Sequence, residues 1–420
     1  MNAATRDATL DPAAVAPVRY GTAEFNELIA AIGASARESK AAGKNPFPAI
    51  DLARAARLGA IRVPAEQGGG GASMHEFFRM QMQLAEADSD VAQILRAHFW
   101  FTEDRMRERD PIVRERWIKH VVDGEIFGNA VVEIGQSRAV GDFAFQTALE
   151  PDGAGYRLNG TKYYCTGSLF SDWVWVFAST PDGGMASVFV PVDREGVTLE
   201  DDWDGVGQCF TGSGTGRFDN VYVNAEEVVQ TMIQGKDEIV GKSRLADALL
   251  TGQFVQLILT ATIVGNLRRV TQEAAHLVRS RKRTFTHASA DTIAADPQFQ
   301  EIVGRIASQA RAAESIVLAA ADAHQVALDS ITDGGVDYEL VHEASVVAAE
   351  AKVFVDEAAP RAATLLFELG GASQTVRSAG LDEPWRNMVV LAAHNPAAFK
   401  ARAVGDWLVN GTELQANGYL

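Results

Sequence analysis

The residues best placed to do chemistry are His394-Asn395-Pro396, which interrupt a run of apolar residues at helical spacing, Val389, Val390, Ala393, Ala397, Val404 and Leu408. Proline has no amide hydrogen and restricts the residue before it, so a helix is predicted to end or restart near His394. An imidazole titrates near neutral pH, so at such a bend His394 can exchange a proton with a ligand, or else cap the helix or fill the core. A second concentration of chemistry is Arg279, Arg281, Lys282 and Arg283, the one dense basic cluster in an acidic chain. Cations suit the C-terminal end of a helix, where these can hold a phosphate or stand as a solvated terminus. Gly212-x-Gly214-x-Gly216 invites a dinucleotide reading, but it sits among predicted strands with no helix after it.

Composition narrows the partners. The 420 residues carry a net charge of −17, which leaves no broad basic face for nucleic acid. A hydrophobic content of 47% supports a sizeable core of two or three domains. Cys165 and Cys209 have neither metal-ligand spacing nor a disulfide framework, in keeping with a reducing cytoplasm. The N-terminal residues lack a basic segment followed by an apolar core, and the apolar run Phe254 to Gly265 is short for a bilayer, so neither export nor a membrane span is expected.

The elements that must position these residues follow from periodicity. Residues 1–20 are small, polar and proline-punctuated. Helical spacing marks Ala23 to Ser39, Pro48 to Leu58, Met74 to Leu95 and Ile112 to Val122, with a glycine turn at Gly68 to Gly71. From Phe127 the period becomes that of strands: Ala144 to Leu149, Tyr156 to Leu158, Lys162 to Cys165, Trp173 to Ala178, Ala186 to Pro191 and Gly216 to Val223, with turns at Pro151-Asp152-Gly153, Asn159-Gly160 and Pro181 to Gly184. Long helices return at Ala246 to Arg279, Gln298 to Ser330, Val336 to Leu369 and Met388 to Val409. The expected architecture is α+β: a flexible 1–20, a helical domain over 21–126, a barrel-like β-domain over 127–230, and a four-helix bundle over 231–420.

This order, with Pro64 and Gly68 to Gly71, Asn159-Gly160-Thr161-Lys162, Thr166-Gly167, Asp172-Trp173, Gly207, Thr211 to Gly214, Phe218-Asp219-Asn220-Val221, Trp385-Arg386-Asn387, His394-Asn395-Pro396 and Gly405-Asp406-Trp407, resembles the acyl-CoA dehydrogenase fold superfamily. Within it, the last landmarks resemble the flavin-dependent monooxygenases similar to dibenzothiophene monooxygenase. The resemblance implies a homotetramer that receives reduced FMN from a separate NAD(P)H:flavin reductase. With O2 it would oxygenate a small or medium apolar substrate at sulfur, nitrogen or ring carbon through a flavin C4a-(hydro)peroxide.

On the family pattern, Thr166 and Gly167 meet the flavin edge, Asn129 faces flavin or substrate, and Gly370, Gly371, Ser373 and Asn395 border the cofactor. Arg281 and Arg283, with Phe285, would reach a cofactor phosphate. Thr286 stands where dehydrogenases have a glycine, which favours FMN while leaving FAD open. His98 and Thr102, four residues apart on one helix face, would border the substrate or simply pack. Trp203 matches a substrate tryptophan. Dehydrogenases need a carboxylate base, yet no acid lies between Asp247 and Glu273, and Glu383 precedes the Trp385 landmark. His394 therefore becomes the expected proton-handling group. The alternatives are an FAD-dependent acyl-CoA dehydrogenase, an amine N-hydroxylase of the same fold, or a flavin-binding scaffold without turnover.

Overall fold

The computed structural model describes residues 16–135, 145–233, 242–284, 286–332 and 335–415. Six helices come first: α1 (Ala23–Ala41), α2 (Phe47–Ala55), α3 (Met74–Ala87), α4 (Ser89–Ile94), α5 (Arg96–Met106) and α6 (Pro111–Val122). Eight strands follow: β1 (Phe127–Ala130), β2 (Ala148–Asp152), β3 (Gly155–Lys162), β4 (Trp173–Ser179), β5 (Gly184–Pro191), β6 (Val197–Leu199), β7 (Gly216–Asn224) and β8 (Val228–Ile233). The chain ends in α7 (Lys242–Ser280), α8 (Pro297–Asp329), α9 (Tyr338–Gly370), α10 (Glu383–Ala392) and α11 (Ala397–Asn410). The architecture is thus α+β, helical at both ends around a central sheet.

Two compact units divide the chain. The first takes Met1–Ser73, Gln93–Asp204 and Cys209–Leu245; the second takes Met74–Ala92, Gly205–Gln208 and Ala246–Leu420. In the first, the strands run in the order β6-β7-β3-β2-β4-β5-β8, with β1 parallel to β4. Alternation along β4 sorts its side chains between two cores. Val174, Val176 and Ala178 join one aliphatic cluster, while Trp173, Trp175 and Phe177 face an aromatic cluster with Phe101, Trp117, Phe127 and Phe189. Phe101 of α5 stacks on Phe127 of β1 with centroids 3.6 Å apart, which fixes the helix against the first strand.

Three local expectations are corrected. The helix expected over Met74 to Leu95 breaks between α3 and α4, because the Asp88 carboxylate accepts a bond from the Val91 amide, capping a new helix. Asn159-Gly160 is not a hairpin turn, and Lys162 to Cys165 is not a strand of its own. Gly160 lies inside β3 at a register shift, pressed against Thr147 where a Cβ would come within 2.3 Å of its hydroxyl. Asn159 uses its side chain to accept from the Asn220 amide across the sheet.

In the second unit, α7, α8 and α9 are the long members, and the fourth apolar run is divided into α10 and α11 by Asn395-Pro396, as the proline predicts. Helix α7 is apolar enough over Ala246–Ser280 to cross a membrane, longer than the run read from sequence, but 89% of its apolar window is buried inside the protein. Gly265 lets it approach α3: a Cβ there would sit 2.5 Å from both Ala85 Cβ and Met82 O.

Candidate functional site

Four candidate residues of the first unit, Thr166, Gly167, Asn129 and Trp203, gather around one loop. After β3 the chain bends through Tyr164 (φ +56°) and Gly167 (φ +77°), conformations that L side chains rarely adopt. Gly167 is required there, since a Cβ would lie 2.3 Å from Ile94 O. Backbone bonds from Cys165 N to Gly214 O (3.0 Å) and from Gly167 N to Thr211 O (3.1 Å) lash this loop to 211–214. The Thr166 hydroxyl lies 2.8 Å from that of Ser213, which lies 2.7 Å from that of Thr211. Ser168 donates to Asn129 O at 3.0 Å and so ties the loop to β1. Asn129 Oδ1 is buried and has no partner among the described residues, an acceptor that a ligand donor would satisfy.

Trp203 stands edge-on to Tyr164, centroids 6.0 Å apart at 82°. Its neighbour Asp202 fixes it by accepting from the Thr215 amide and hydroxyl, both at 2.7 Å. Burial pushes the Cys165 thiol up to about 12, so it remains protonated and unreactive. The structure therefore brings Thr166, Gly167, Asn129 and Trp203 around a single glycine-bent loop.

His98 and Thr102 lie in the interior of the first unit. His98 is fully buried; its Nδ1 accepts from Phe127 N at 3.2 Å, and its Nε2 presses on Gly59, where a Cβ would come within 2.1 Å. Burial lowers its pKa to about 4, so the ring is a neutral packing element. Thr102 turns its hydroxyl back onto His98 O of its own helix, 2.9 Å away. Both side chains are buried, His98 fully and Thr102 to 1% exposure, in keeping with the packing alternative.

In the second unit, Arg281 follows the end of α7 and donates to Leu369 O. A Cβ on Gly371, whose φ is +64°, would lie 3.5 Å from Arg281 Nη2. The structure thus unites Arg281 with Gly370-Gly371, far apart in sequence. Lys282 and Arg283 are exposed. Phe285 lies outside the described residues, as does the side chain of Ser373, whose backbone forms a 3-10 turn.

His394 is exposed at the break between α10 and α11, its amide donating to Leu391 O at 3.3 Å, while Asn395 beside it is buried. The Trp385-Arg386-Asn387 landmark has a mechanical role. Arg386 donates to Val206 O and Asn387 accepts from the Gln208 amide, both at 2.7 Å, so the two grip the segment 206–208. The acids Glu273 and Glu383 are engaged: Arg269 bonds Glu273 at 2.8 Å and Glu383 at 3.0 Å.

Two groupings escaped the sequence reading, although Thr211 to Gly214 is itself a landmark of the resemblance. Ser213 and Thr211 matter only because the loop folds onto them, and nothing in their spacing marks Thr166 as a partner. Lys352, Asp356 and Lys400 form a buried charged cluster in which Lys352 bonds Asp356 at 2.5 Å. The i,i+4 spacing of Lys352 and Asp356 was a usable signal. Burial first, then the charge of Lys352, lowers Lys400 to about 8, and burial raises Asp356.

Residues 130–221 match the acyl-CoA dehydrogenase middle domain, and residues 257–399 match an acyl-CoA dehydrogenase C-terminal domain. The chain is 28% identical over 379 residues to a dibenzothiophene monooxygenase of Mycolicibacterium goodii, covering 88% of this chain and 89% of that one. A probable FMNH2-dependent monooxygenase, SfnC, of Pseudomonas putida is 25% identical, with 94% and 96% covered. Among solved structures, FMN-bound TdsC from Paenibacillus sp. A11-2 superposes with a TM-score of 0.84 at 28% identity, over 94% of this chain and 98% of that one. This chain belongs to the acyl-CoA dehydrogenase fold superfamily, in the flavin-dependent monooxygenase branch that includes the dibenzothiophene monooxygenases.

Proposed function

We propose that this chain is the oxygenase of a two-component flavin monooxygenase, taking reduced FMN from a separate reductase. Reduced FMN, when bound, supplies the activation of O2. The protein must hold the ring, exclude water and manage one proton. The observation that carries the reading is the missing base: Glu273 and Glu383 are both engaged by Arg269, and the helix break that follows presents His394. A desaturating enzyme needs a carboxylate at a substrate carbon, whereas oxygen transfer needs a group that holds and returns a proton, which an imidazole does.

Asn129 Oδ1, the Thr166 hydroxyl and the Gly167 backbone would meet the ring edge. Arg281 beside Gly370-Gly371 would hold the phosphate with Arg283, Phe285, Ser373 and Asn395 completing the cofactor's surroundings. The relative named for FMNH2 and the FMN-bound neighbour support FMN over FAD. The substrate class is a small or medium apolar molecule with an oxidisable sulfur, nitrogen or electron-rich ring, to which Trp203 and Tyr164 offer aromatic edges. Homotetramer assembly is supported by an apolar groove between α9 and α11, lined by Val353, Phe354, Val404 and Leu408, which a second copy would cover. In a cytoplasmic setting Cys165 and Cys209 stay free thiols.

The test is anaerobic reduction of FMN with the purified chain, then rapid mixing with O2 while absorbance is followed. A transient distinct from oxidised and reduced FMN, shortened by a thioether, heteroaromatic or amine substrate as product appears, is the expected result. Bleaching of bound flavin by an acyl-CoA without O2 would instead establish a dehydrogenase, and NADH consumption by the chain alone would remove the separate reductase.

A further inference from the structure

The three hydroxyls of Thr166, Ser213 and Thr211 form a line, 2.8 Å and 2.7 Å between successive oxygens, wholly within the first unit. Ser213 is 8% exposed and Thr211 1%, so bulk water does not compete for these bonds. Each hydroxyl carries one proton and can also accept. Either oxygen can be the donor in each of the two bonds, so Ser213, with one proton and two lone pairs, can donate to Thr166 or accept from it.

In one direction Ser213 donates to Thr166, whose own proton is then free for a ligand. In the other Thr166 donates to Ser213 and presents only lone pairs. The other acceptor within reach of Thr166, Tyr164 O, is 3.5 Å away, at the limit of a useful bond. Reversal turns protons and moves no heavier atom, because the backbone bonds Cys165 N to Gly214 O and Gly167 N to Thr211 O hold both loops in place.

We infer that Ser213 is a positioning residue for Thr166: the Thr211–Ser213–Thr166 line sets, and by reversing changes, whether Thr166 offers a bound flavin a proton or a lone pair. This rests on the reading of Thr166 as a flavin contact. Flavin chemistry asks for both offers, since N5 of the oxidised ring accepts a hydrogen bond and N5–H of the reduced ring donates one. A reversible line serves both forms with one side chain.

The experiment measures dissociation constants for oxidised FMN, by fluorescence quenching, and for reduced FMN, by anaerobic titration. The proteins are the full chain and its Thr166→Ala, Ser213→Ala, Thr211→Val and Thr166→Ala/Ser213→Ala variants. A hydrogen bond's ordinary worth gives an expected weakening of roughly 3- to 10-fold for Ser213→Ala toward both FMN forms. The diagnostic result is that Ser213→Ala costs nothing further once Thr166 is alanine, the non-additivity of a residue acting through another. Equal costs in both backgrounds, or no cost in the wild type, would overturn the inference. Should Ser213→Ala fail to fold by circular dichroism, Thr211→Val carries the same comparison, with a smaller cost that must also vanish without the Thr166 hydroxyl. If Thr166→Ala itself leaves both constants unchanged, the flavin-contact reading fails, a separate outcome from failure of the line.

Discussion

The loop around Thr166 and the helix break at His394 hold their chemistry in opposite ways. The first is built on close backbone approach and on bonds that reach across the chain, and its side chains have almost no freedom. The second is an exposed turn, followed by α11, whose one buried residue among those described is Lys400. A group that must meet a flat, rigid cofactor edge benefits from preorganisation, because binding then costs little ordering. A group that must pass a proton to a changing partner can stand on a less constrained segment, held at a distance by a buried charge cluster.

Five substitutions probe this contrast, from the largest effect down. His394→Ala is expected to lower product formed per FMN oxidised by ~100-fold or more, the ordinary yield of a positioned acid or base, while FMN affinity stays within about twofold. Joint loss of binding and turnover would make the residue structural. Gly167→Ala places a methyl 2.3 Å from Ile94 O in a left-handed conformation, and strain of this kind costs about 1–3 kcal/mol before the clash is counted. Thermal unfolding should report a melting point several degrees lower.

Arg281→Ala is expected to raise the FMN dissociation constant ~10-fold, as for a lost charge-assisted bond, and the exposed Arg283→Ala by less. An unchanged constant in both would remove the phosphate role. The smallest effect belongs to Lys400→Met. Lys400 has a folded pKa near 8, below its usual 10.5, so the folded state resists its proton. That penalty is complete below pH 8 and fades as pH rises through 8 toward 10.5, where only the unfolded chain still binds the proton. The methionine variant should therefore gain most over wild type below pH 8. From pH 8 to 9 its advantage should shrink by about 1 kcal/mol in denaturant titrations. A constant gap would show that Lys400 is not held against its charge.

Much of this was legible in residue order. Proline at 396 announced the division of α10 from α11, and the apolar run Trp173 to Ala178 announced strand β4. Asn159-Gly160 misled, because the same dipeptide that makes a hairpin turn also suits a bulge when a neighbour such as Thr147 crowds the backbone. His98 and Thr102 shared a helix face as expected, but helical spacing says only that two residues are neighbours, and here the face is sealed by Gly59 and Phe127.

By itself the sequence determined the alternation of helix and strand, the place of the helix break, and the basic cluster at the end of α7. These follow from local backbone preference and hydrophobic period, which act over a few residues. Tertiary structure alone decided that Ser213 meets Thr166, that Arg281 rather than Arg283 reaches Gly370-Gly371, and that Arg269 holds Glu273 and Glu383 together. Apart from the i,i+4 pair of Arg269 with Glu273, such pairings depend on which distant segments share a core, and no local propensity encodes them.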